Sequence, residues 1–324
     1  MNPMKKFLFT QRMLSMLLLA ITFSSISCND DDNDNGNNQP ESIATIAGRT
    51  ENLSILVTAL TKANLVTTLS NPGTYTVFAP TNAAFTEFLR VKGFANLDAV
   101  PTAALREILL NHVISTKNTA ADLSTKYLKT LAKGSASTDN NLSLYVNKSG
   151  ANVRLNGVSS VTTPDIQASN GVIHVVDAVI DLPTVVTFAT SNADFSSLVS
   201  LLNRDGQPNF VNTLLGTGPF TVFAPTNAAF TALTNELAPA TVSADNITKV
   251  LQYHVVSGNV LAASLTEGQV VTPVLTPAQT FTIGLAGGAK ITDASARVSN
   301  IVATDVQATN GVIHVINKVL LPRL

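Results

Sequence analysis

The decapeptide TVFAPTNAAF occurs twice in this chain of 324 residues, at residues 76–85 and again at residues 221–230. Ten identical residues do not recur by chance in a chain of this length, so the chain contains an internal duplication. The spacing of 145 residues is too long for a solenoid repeat and fits two whole domains. The duplication therefore predicts two domains of the same fold.

Two further pairs of segments delimit the duplication. They are LLNHVI at residues 109–114 with LQYHVV at 251–256, and DIQASNGVIHVVDAVI at 165–180 with DVQATNGVIHVINKVL at 305–320. The offset drifts from 145 to 140 residues, as insertions and deletions in surface loops allow. We place the repeats at residues 43–182 and 184–324, and so short a connection predicts that the two domains touch.

The first 27 residues have the pattern of a secretory signal peptide, with three basic residues and a short apolar core at residues 13–23. The core is too short to span a membrane. Cys28, the only cysteine, follows Ser-Ile-Ser behind this core, which resembles the lipobox of bacterial lipoproteins. We therefore expect lipidation at Cys28; the alternative is cleavage nearby that leaves a free thiol.

Residues 28–42 form an acidic, Asn-rich linker that cannot bury apolar surface and is expected to be disordered. Acidic residues directly behind a lipidated cysteine resemble the surface-export signal of Bacteroidetes lipoproteins. That resemblance implies an outer-membrane protein that faces the medium. DDNDNG at residues 31–36 also matches half of a calcium-loop pattern, but Ser42 stands where the pattern needs Glu. A calcium site is therefore the weaker interpretation.

Charge limits the classes of partner. Removal of residues 1–27 leaves 17 basic and 21 acidic residues, a net charge of −4. A chain without a basic surplus cannot neutralise phosphates, so we exclude nucleic acid as a partner. Behind Cys28 there is no cysteine, which excludes disulfides and thiolate metal sites. Stability must therefore come from packed cores.

Local signals predict a mixed α+β domain rather than alternating βαβ units. The β-branched and aromatic run before Pro80 predicts a strand that ends at this proline. Thr81 or Asn82 is predicted to cap a helix that begins at Ala83.

A second local signal lies near the end of each repeat. Asn170-Gly171, between two β-branched runs, predicts a hairpin. Residues 172–176, which are apolar apart from His174, should form a central strand that is covered on both faces.

This order of signals, with a TVFAPTN strand, a helix, a Tyr-His pair (Asn-His in the first repeat) and an NGVIHV strand, resembles the fasciclin (FAS1) domain, twice. The resemblance covers nearly the whole chain behind the linker. It implies two tandem fasciclin-like domains, each a wedge-like β-sandwich of about seven strands with packed helices. It also implies an extracellular, membrane-anchored adhesion or matrix module whose partner is an extracellular or cell-surface protein or polysaccharide.

The candidate partner-binding residues follow from that resemblance. Tyr253-His254 matches the Tyr-His motif that the family has been linked with in adhesion to receptors, and Asn111-His112 stands at the equivalent place in the first repeat. The alternative is structural: the pair ends a helix and fills the gap between helix and sheet. If the Tyr is the contact residue, Asn111 leaves the second domain as the receptor-binding candidate.

All four histidines stand at repeat-equivalent positions, which shows that they fit the fold and not that they perform chemistry. For His174 and His314 we expect neutral, hydrogen-bonded imidazoles inside the sandwich. The alternative is a metal site of two histidines in each domain, completed by Asp165 or Asp305, although no short His-x-x-x-His spacing prepares one. We therefore predict no metal and no cofactor.

No catalytic motif emerges from the sequence. Neither a Gly-x-Ser-x-Gly elbow nor a phosphate-binding Gly-rich loop ending in Gly-Lys-Ser/Thr occurs. Tryptophan is absent, although Tyr75, Tyr127, Tyr145 and Tyr253 could stack sugars. We therefore expect a non-catalytic, lipid-anchored adhesion or matrix module. The alternative is a surface lipoprotein that binds a glycan or small ligand for uptake.

Overall fold

The computed structural model describes residues 41–237 and 243–324. In the first repeat the elements are α1 (Ile43–Arg49), α2 (Ser54–Lys62), α3 (Val66–Ser70), β1 (Tyr75–Pro80), α4 (Asn82–Lys92), α5 (Thr102–Leu110), β2 (Val113–Ile114), β3 (Lys126–Gly134), β4 (Ser137–Ser149), β5 (Asn152–Leu155), β6 (Ser159–Ala168) and β7 (Gly171–Val176). In the second repeat they are α6 (Val185–Ser191), α7 (Ser196–Leu202), α8 (Phe210–Leu214), β8 (Phe220–Pro225), α9 (Asn227–Leu237), α10 (Ala244–Tyr253), β9 (Val255–Ser257), β10 (Val270–Val271), β11 (Phe281–Gly284), β12 (Lys290–Thr292), β13 (Val298–Ala308) and β14 (Gly311–Ile316).

Each repeat builds a seven-stranded sheet with the same strand order. The order is β2-β1-β7-β6-β5-β4-β3 in the first domain and β9-β8-β14-β13-β12-β11-β10 in the second. Neighbouring strands are antiparallel except for two central pairs, β1 with β7 and β8 with β14, which are parallel. The parallel pairs join the two sequence motifs of each repeat side by side.

Strand β6 folds the first sheet onto itself. Its register with β7 shifts twice between residues 161 and 166, and its first residues pair with β5. Bulges of this kind bend a strand and increase its twist. The two faces of β1 consequently belong to different layers, because Val77 packs with the helices while Phe78 packs with residues of β2, β4 and β5. This arrangement confirms the predicted α+β domain with seven strands and packed helices.

The twin decapeptide forms β1 and the start of α4. The strand ends at Pro80, as predicted. Thr81 is the N-cap, because its hydroxyl accepts a hydrogen bond from the N–H of Ala84 at 3.1 Å. The helix begins at Asn82, one residue earlier than predicted.

Asn82 holds a second helix in place rather than capping its own. Its Oδ1 accepts a hydrogen bond from the N–H of Ile55 at 2.9 Å, and its Nδ2 donates to the carbonyl of Glu51 at 3.0 Å. In the second domain, Asn227 accepts from the N–H of Ser197 at 2.9 Å. The repeated asparagine thus fixes the start of α2 and of α7.

The predicted hairpin around Asn170-Gly171 is present, but its turn lies one residue earlier. Ala168 pairs with Gly171, so Ser169 and Asn170 form the turn and Gly171 begins β7. A Cβ at position 171 would overlap the carbonyl oxygen of Tyr75 in the parallel neighbour. The glycine therefore serves the pairing of β1 with β7. All six residues of β7 are buried, which confirms the predicted covered strand.

The predicted signal peptide, Cys28 and the half calcium-loop pattern at residues 31–36 lie outside the described residues. Among residues 41–237 and 243–324, no single helix has the length and apolar character to cross a membrane. One pair of helices, Val185–Ser191 and Ala193–Leu202, reaches that length and composition only when combined, and the pair is bent by 98°.

Candidate functional site

His254 lies at the end of α10 and is bonded only to backbone groups. Its Nδ1 lies 2.7 Å from the carbonyl oxygen of Val250, one turn earlier, and its Nε2 lies 2.9 Å from the backbone nitrogen of Leu320. A backbone N–H can only donate, so Nε2 is the acceptor and Nδ1 carries the proton. The imidazole is therefore neutral.

His112 makes the same contacts at the end of α5. Its Nδ1 lies 2.7 Å from the carbonyl oxygen of Ile108, and its Nε2 accepts from the N–H of Ile180 at 2.8 Å. In both domains the ring thus joins a helix end to the segment that follows the last strand.

Tyr253 fills the space beside His254. Its side chain is fully buried, and its ring meets that of Phe281 edge-on with centroids 5.7 Å apart. The hydroxyl donates to the carbonyl of Thr280 at 2.7 Å and accepts from the N–H of Ala294 at 3.0 Å. Burial raises the pKa of Tyr253 to about 12. Tyr253 is therefore a neutral, buried side chain of the core of the second domain.

Asn111 occupies the equivalent position and closes the first domain by hydrogen bonds alone. Its Nδ2 donates to the carbonyl of Asp181 at 3.0 Å, and its Oδ1 accepts from the hydroxyl of Thr130 at 3.3 Å. The same buried position is therefore filled by an aromatic ring in the second domain and by a hydrogen-bonded amide in the first.

The four candidate partner-binding residues, Tyr253, His254, Asn111 and His112, all lie in the interior, and none is more than 4% exposed. Their polar atoms bond within their own domain, as the structural alternative describes. A partner cannot reach these side chains in this conformation. Their predicted role in partner binding stays a prediction, without support from the geometry.

The buried histidines predict how stability depends on pH. Burial lowers the pKa of His112 and of His254 from 6.5 to about 4, against the opposing effect of the hydrogen bond to the helix carbonyl. Below pH 6.5 the unfolded chain therefore takes up protons that the folded chain does not bind. We expect the contribution of each histidine to be complete above about pH 7 and to fall by about 3 kcal/mol as the pH drops toward 4.

Urea unfolding at a series of pH values between 7.5 and 4.5 measures this dependence. The matched variant is His254→Gln, whose amide can both donate and accept but does not titrate. In this variant the free energy of unfolding should depend much less steeply on pH between 6.5 and 4.5. An unchanged slope in the variant would contradict the prediction.

His174 lies in β7, with its ring stacked on Phe78 at a centroid distance of 5.5 Å. Its Nε2 lies 2.9 Å from the carbonyl oxygen of Asn118, and its Nδ1 accepts from the N–H of Asp165 at 3.2 Å. Burial lowers the pKa of the ring. The side chain is thus neutral and hydrogen-bonded, which confirms the expectation for this histidine.

His314 repeats the arrangement on Phe223, with Val260 and Asp305 as its backbone partners at 2.8 and 3.4 Å. In His174 and His314 both ring nitrogens are engaged, so neither ring presents a free lone pair to a metal ion. Within the two described stretches, no three His, Cys, Asp or Glu side chains cluster as a metal site requires. The alternative of a two-histidine metal site in each domain therefore finds no ligand set.

The two domains touch, as predicted, along a contact that we call the domain seam. It joins the β3–β4 hairpin of the first domain to α6 and the β13–β14 hairpin of the second. The hydroxyl of Ser143 accepts from the N–H of Gln307 at 3.0 Å in a buried contact. Nearby, the N–H of Ala136 donates to the carbonyl of Thr309 at 2.8 Å.

Two tyrosines of the first domain form the aromatic part of the domain seam. Tyr145 is 4% exposed, and its hydroxyl donates to Oδ1 of Asn192 at 3.1 Å. The Nδ2 of Asn192 in turn donates to the hydroxyl of Tyr127 at 3.2 Å. The Tyr127 ring meets Phe188 edge-on at 5.5 Å, and burial raises the pKa of Tyr127 to about 12. These tyrosines pack between the domains and are not available to stack sugars.

An apolar pocket of about 190 Å³ lies in the second domain, between α6, α7 and α8 and the neighbouring face of the sheet. The aliphatic side chains of its lining include Val186, Leu198, Val199, Leu202, Val211 and Leu214. Among the described residues, no Asp, Glu, Lys or Arg contributes to the lining. Thr190 and Asn203, which also line the pocket, are exposed and connect it to the surface.

The sequence profile of the family described as Fasciclin domain matches residues 51–183 and 193–322. The chain belongs to the fasciclin domain family. It is 40% identical to protein sll1483 of Synechocystis sp. over 144 residues, which are 43% of this chain and 73% of that protein. It is 26% identical to the transforming growth factor-beta-induced protein ig-h3 of Sus scrofa over 265 residues, 78% of this chain and 35% of that protein. A solved FAS1 domain pair from the insect cell adhesion molecule Fasciclin I is similar with a TM-score of 0.48 and 19% identity, over 82% of this chain and 92% of that one.

Sequence reasoning missed the asparagine that holds the helices of each fasciclin domain to the sheet. Oδ1 of Asn170 accepts from the N–H of Ile43 at 2.9 Å, and its Nδ2 donates to the carbonyls of Leu69 and Asn71, both at 2.8 Å. Asn310 repeats the three contacts in the second domain. The signal was its presence in both NGVIHV motifs. The motif alone does not distinguish an asparagine that forms a turn from one that also makes buried hydrogen bonds to distant backbone groups, so the second role was not predicted.

Proposed function

We propose that the protein is a non-catalytic adhesion or extracellular-matrix module whose partner is a cell-surface or extracellular protein or polysaccharide. The observation that carries the proposal is that the polar residues shared by the two fasciclin domains serve the fold. All four histidines are buried and bonded to backbone groups. A general base must reach the proton that it removes, and these rings do not. Fasciclin domains are generally adhesion modules, which supports a binding role.

The domain seam supports binding by the pair as a unit. Because the β3–β4 hairpin is hydrogen-bonded to the second domain, the two domains present their surfaces at a fixed spacing. A partner that contacts both domains loses less orientational freedom than one that must first align two free domains.

We also propose that a lipid on Cys28 holds the protein at the outer membrane, facing the medium. The support is the sequence pattern of residues 1–42 described above. Mass spectrometry of the mature N-terminal peptide tests the anchor. We expect a peptide that begins with an acylated Cys28. An unmodified peptide that begins at another residue would contradict the anchor without affecting the adhesion proposal.

Adhesion is tested with the purified protein coated on a surface, by measuring retention of cells and of extracellular polymers relative to an inert protein coat. We expect retention that persists in Tyr253→Phe, because this variant keeps the buried ring and loses only the hydroxyl. Loss of retention in Tyr253→Phe, with circular dichroism and melting temperature unchanged, would instead support the partner-binding role of the Tyr-His pair. No retention of any cell or polymer would contradict adhesion.

A second candidate function is binding of a glycan or small ligand at the cell surface for uptake. The apolar pocket of the second domain favours a small ligand over a glycan. Tyr127, Tyr145 and Tyr253 are engaged in packing, which leaves few aromatic faces for sugars. Binding on a glycan array, together with failure to retain cells or matrix polymers, would favour the glycan form of this function.

A further inference from the structure

The stretch from Ser197 in α7 to Leu214 in α8 is three residues longer than its counterpart from Ile55 in α2 to Leu69 in α3, although both stretches are held at the same two points. At the start, the repeated asparagine after the strand accepts from Ile55 in one domain and from Ser197 in the other. At the end, the asparagine of the NGVIHV motif donates to Leu69 and to Leu214. The extra residues must therefore bulge outward between fixed ends.

In the first domain the shorter segment fills the core between these two points. Four of its apolar side chains, Ala59, Leu60, Ala63 and Leu65, are buried, and each is at most 4% exposed. In the second domain no residue between Leu198 and Leu214 is buried. Leu202, the counterpart of Leu60, is only partly buried, and residues 203–206 are exposed. The insertion thus withdraws the side chains that close the space in the first domain.

We propose that the pocket left by this insertion binds a compact apolar ligand, a molecule of the size and chemistry of an alkylbenzene. The volume of about 190 Å³ exceeds the roughly 150 Å³ of an apolar cavity that stays dry and takes up benzene. The lining offers aliphatic side chains on every element around the pocket. The proposal concerns binding alone and depends neither on adhesion nor on uptake.

The chemistry of the lining restricts the buried part of the ligand to uncharged groups. His254 is the titratable residue of the lining, and both of its ring nitrogens are engaged with the backbone. A charged ligand would lose hydration without gaining a counter-ion. Thr190 and Asn203, at the surface end, can solvate a single polar substituent. The pocket therefore selects a hydrophobic body with at most one polar group pointing outward.

Titration of the methyl-labelled protein with toluene, followed by NMR, tests this proposal. We expect saturable shifts in the methyl resonances of Val186, Val199 and Val211, and a melting temperature that rises with toluene concentration. Ala189→Leu places a larger side chain in the pocket lining and should weaken toluene binding at least tenfold. Octanoate carries a flexible chain and a charge, so the affinity measured from the same methyl shifts should be at least tenfold weaker for octanoate than for toluene.

The repeat provides a matched control. Ala47 is the fifth residue of α1, as Ala189 is of α6, but it is buried in the filled core of the first domain. Ala47→Leu should lower the melting temperature by roughly 3–10 °C, the range expected for overpacking, whereas Ala189→Leu should leave it unchanged or raise it. Equal destabilisation by both variants, or no saturable shift with toluene, would overturn the proposal. Binding of octanoate but not of toluene would overturn the proposed ligand class.

Discussion

Replacing Asn170 by alanine should destabilise the first fasciclin domain by about 3–6 kcal/mol, a large part of the stability of an ordinary domain. The side chain satisfies three backbone groups, the N–H of Ile43 and the carbonyls of Leu69 and Asn71. The bonds to Ile43 and Leu69 are buried, so water cannot replace the lost partner without opening the domain. Each unsatisfied buried group costs about 1–3 kcal/mol.

Two further variants show whether the hydrogen bonds are responsible. Asn170→Asp keeps an acceptor for Ile43 but places carboxylate oxygen against two carbonyls, so it should be at least as damaging as alanine. Asn140 is partly buried and its side chain bonds to Ser137 alone, so Asn140→Ala should cost less than about 1 kcal/mol. Chemical denaturation of the three variants measures these differences. Equal losses of unfolding free energy in Asn170→Ala and Asn140→Ala would contradict the role assigned to the hydrogen bonds of Asn170.

Replacing Tyr145 by alanine should uncouple the two fasciclin domains. The ring packs in the core cluster of the second domain although it belongs to the first, and its hydroxyl donates to Asn192. Removal of a large buried aromatic side chain costs about 3–5 kcal/mol. We expect calorimetry to show one cooperative transition for the unmodified chain and two separate transitions for Tyr145→Ala, because the lost contact belongs to the seam.

Two further tyrosine variants serve as controls. One distinguishes the effect of the Tyr145 ring from that of its hydroxyl, and the other distinguishes a loss at the domain seam from a loss elsewhere in the fold. Tyr145→Phe keeps the ring and should cost about 1 kcal/mol while the single transition persists. Tyr75→Ala removes a ring that packs against the core of the first domain, so it should lower stability without splitting the transition. A single transition at an unchanged temperature in Tyr145→Ala would contradict the prediction, because it would show that the Tyr145 side chain does not couple the domains.

Local elements of the fold could be predicted because their determinants lie within a few residues of one another. Pro80 ends a strand, Thr81 caps the following helix, and Asn170-Gly171 marks a hairpin, each through its own backbone preference. Even here, packing shifted the details. Gly171 pairs with Ala168 and is the first residue of the strand rather than part of the turn. Glycine is needed there because the Tyr75 carbonyl leaves no room for a side chain.

The contacts that define the candidate sites could not be predicted, because they join segments far apart in the sequence. The parallel pairing of β1 with β7 and the reach of Asn170 to Ile43 appear only in the folded chain. The sequence Tyr253-His254 is equally suited to a surface and to an interior, and the burial of both side chains becomes visible only in the folded chain. The pocket depends on the three extra residues between Ser197 and Leu214. Their effect can be understood only once the structure shows that both ends of this stretch are held by hydrogen bonds.

The uncharged histidines also determine what the molecule presents to its surroundings when the medium becomes mildly acidic. With the imidazoles buried and their pKa values lowered, the surface charge of the fasciclin pair comes from its Lys, Arg, Asp and Glu side chains. Between pH 8 and 5 the buried imidazoles therefore add little positive charge to the surface that a charged polymer meets, while the fold itself becomes less stable. We expect mild acid to release a bound partner through this loss of stability rather than through protonation of the histidines.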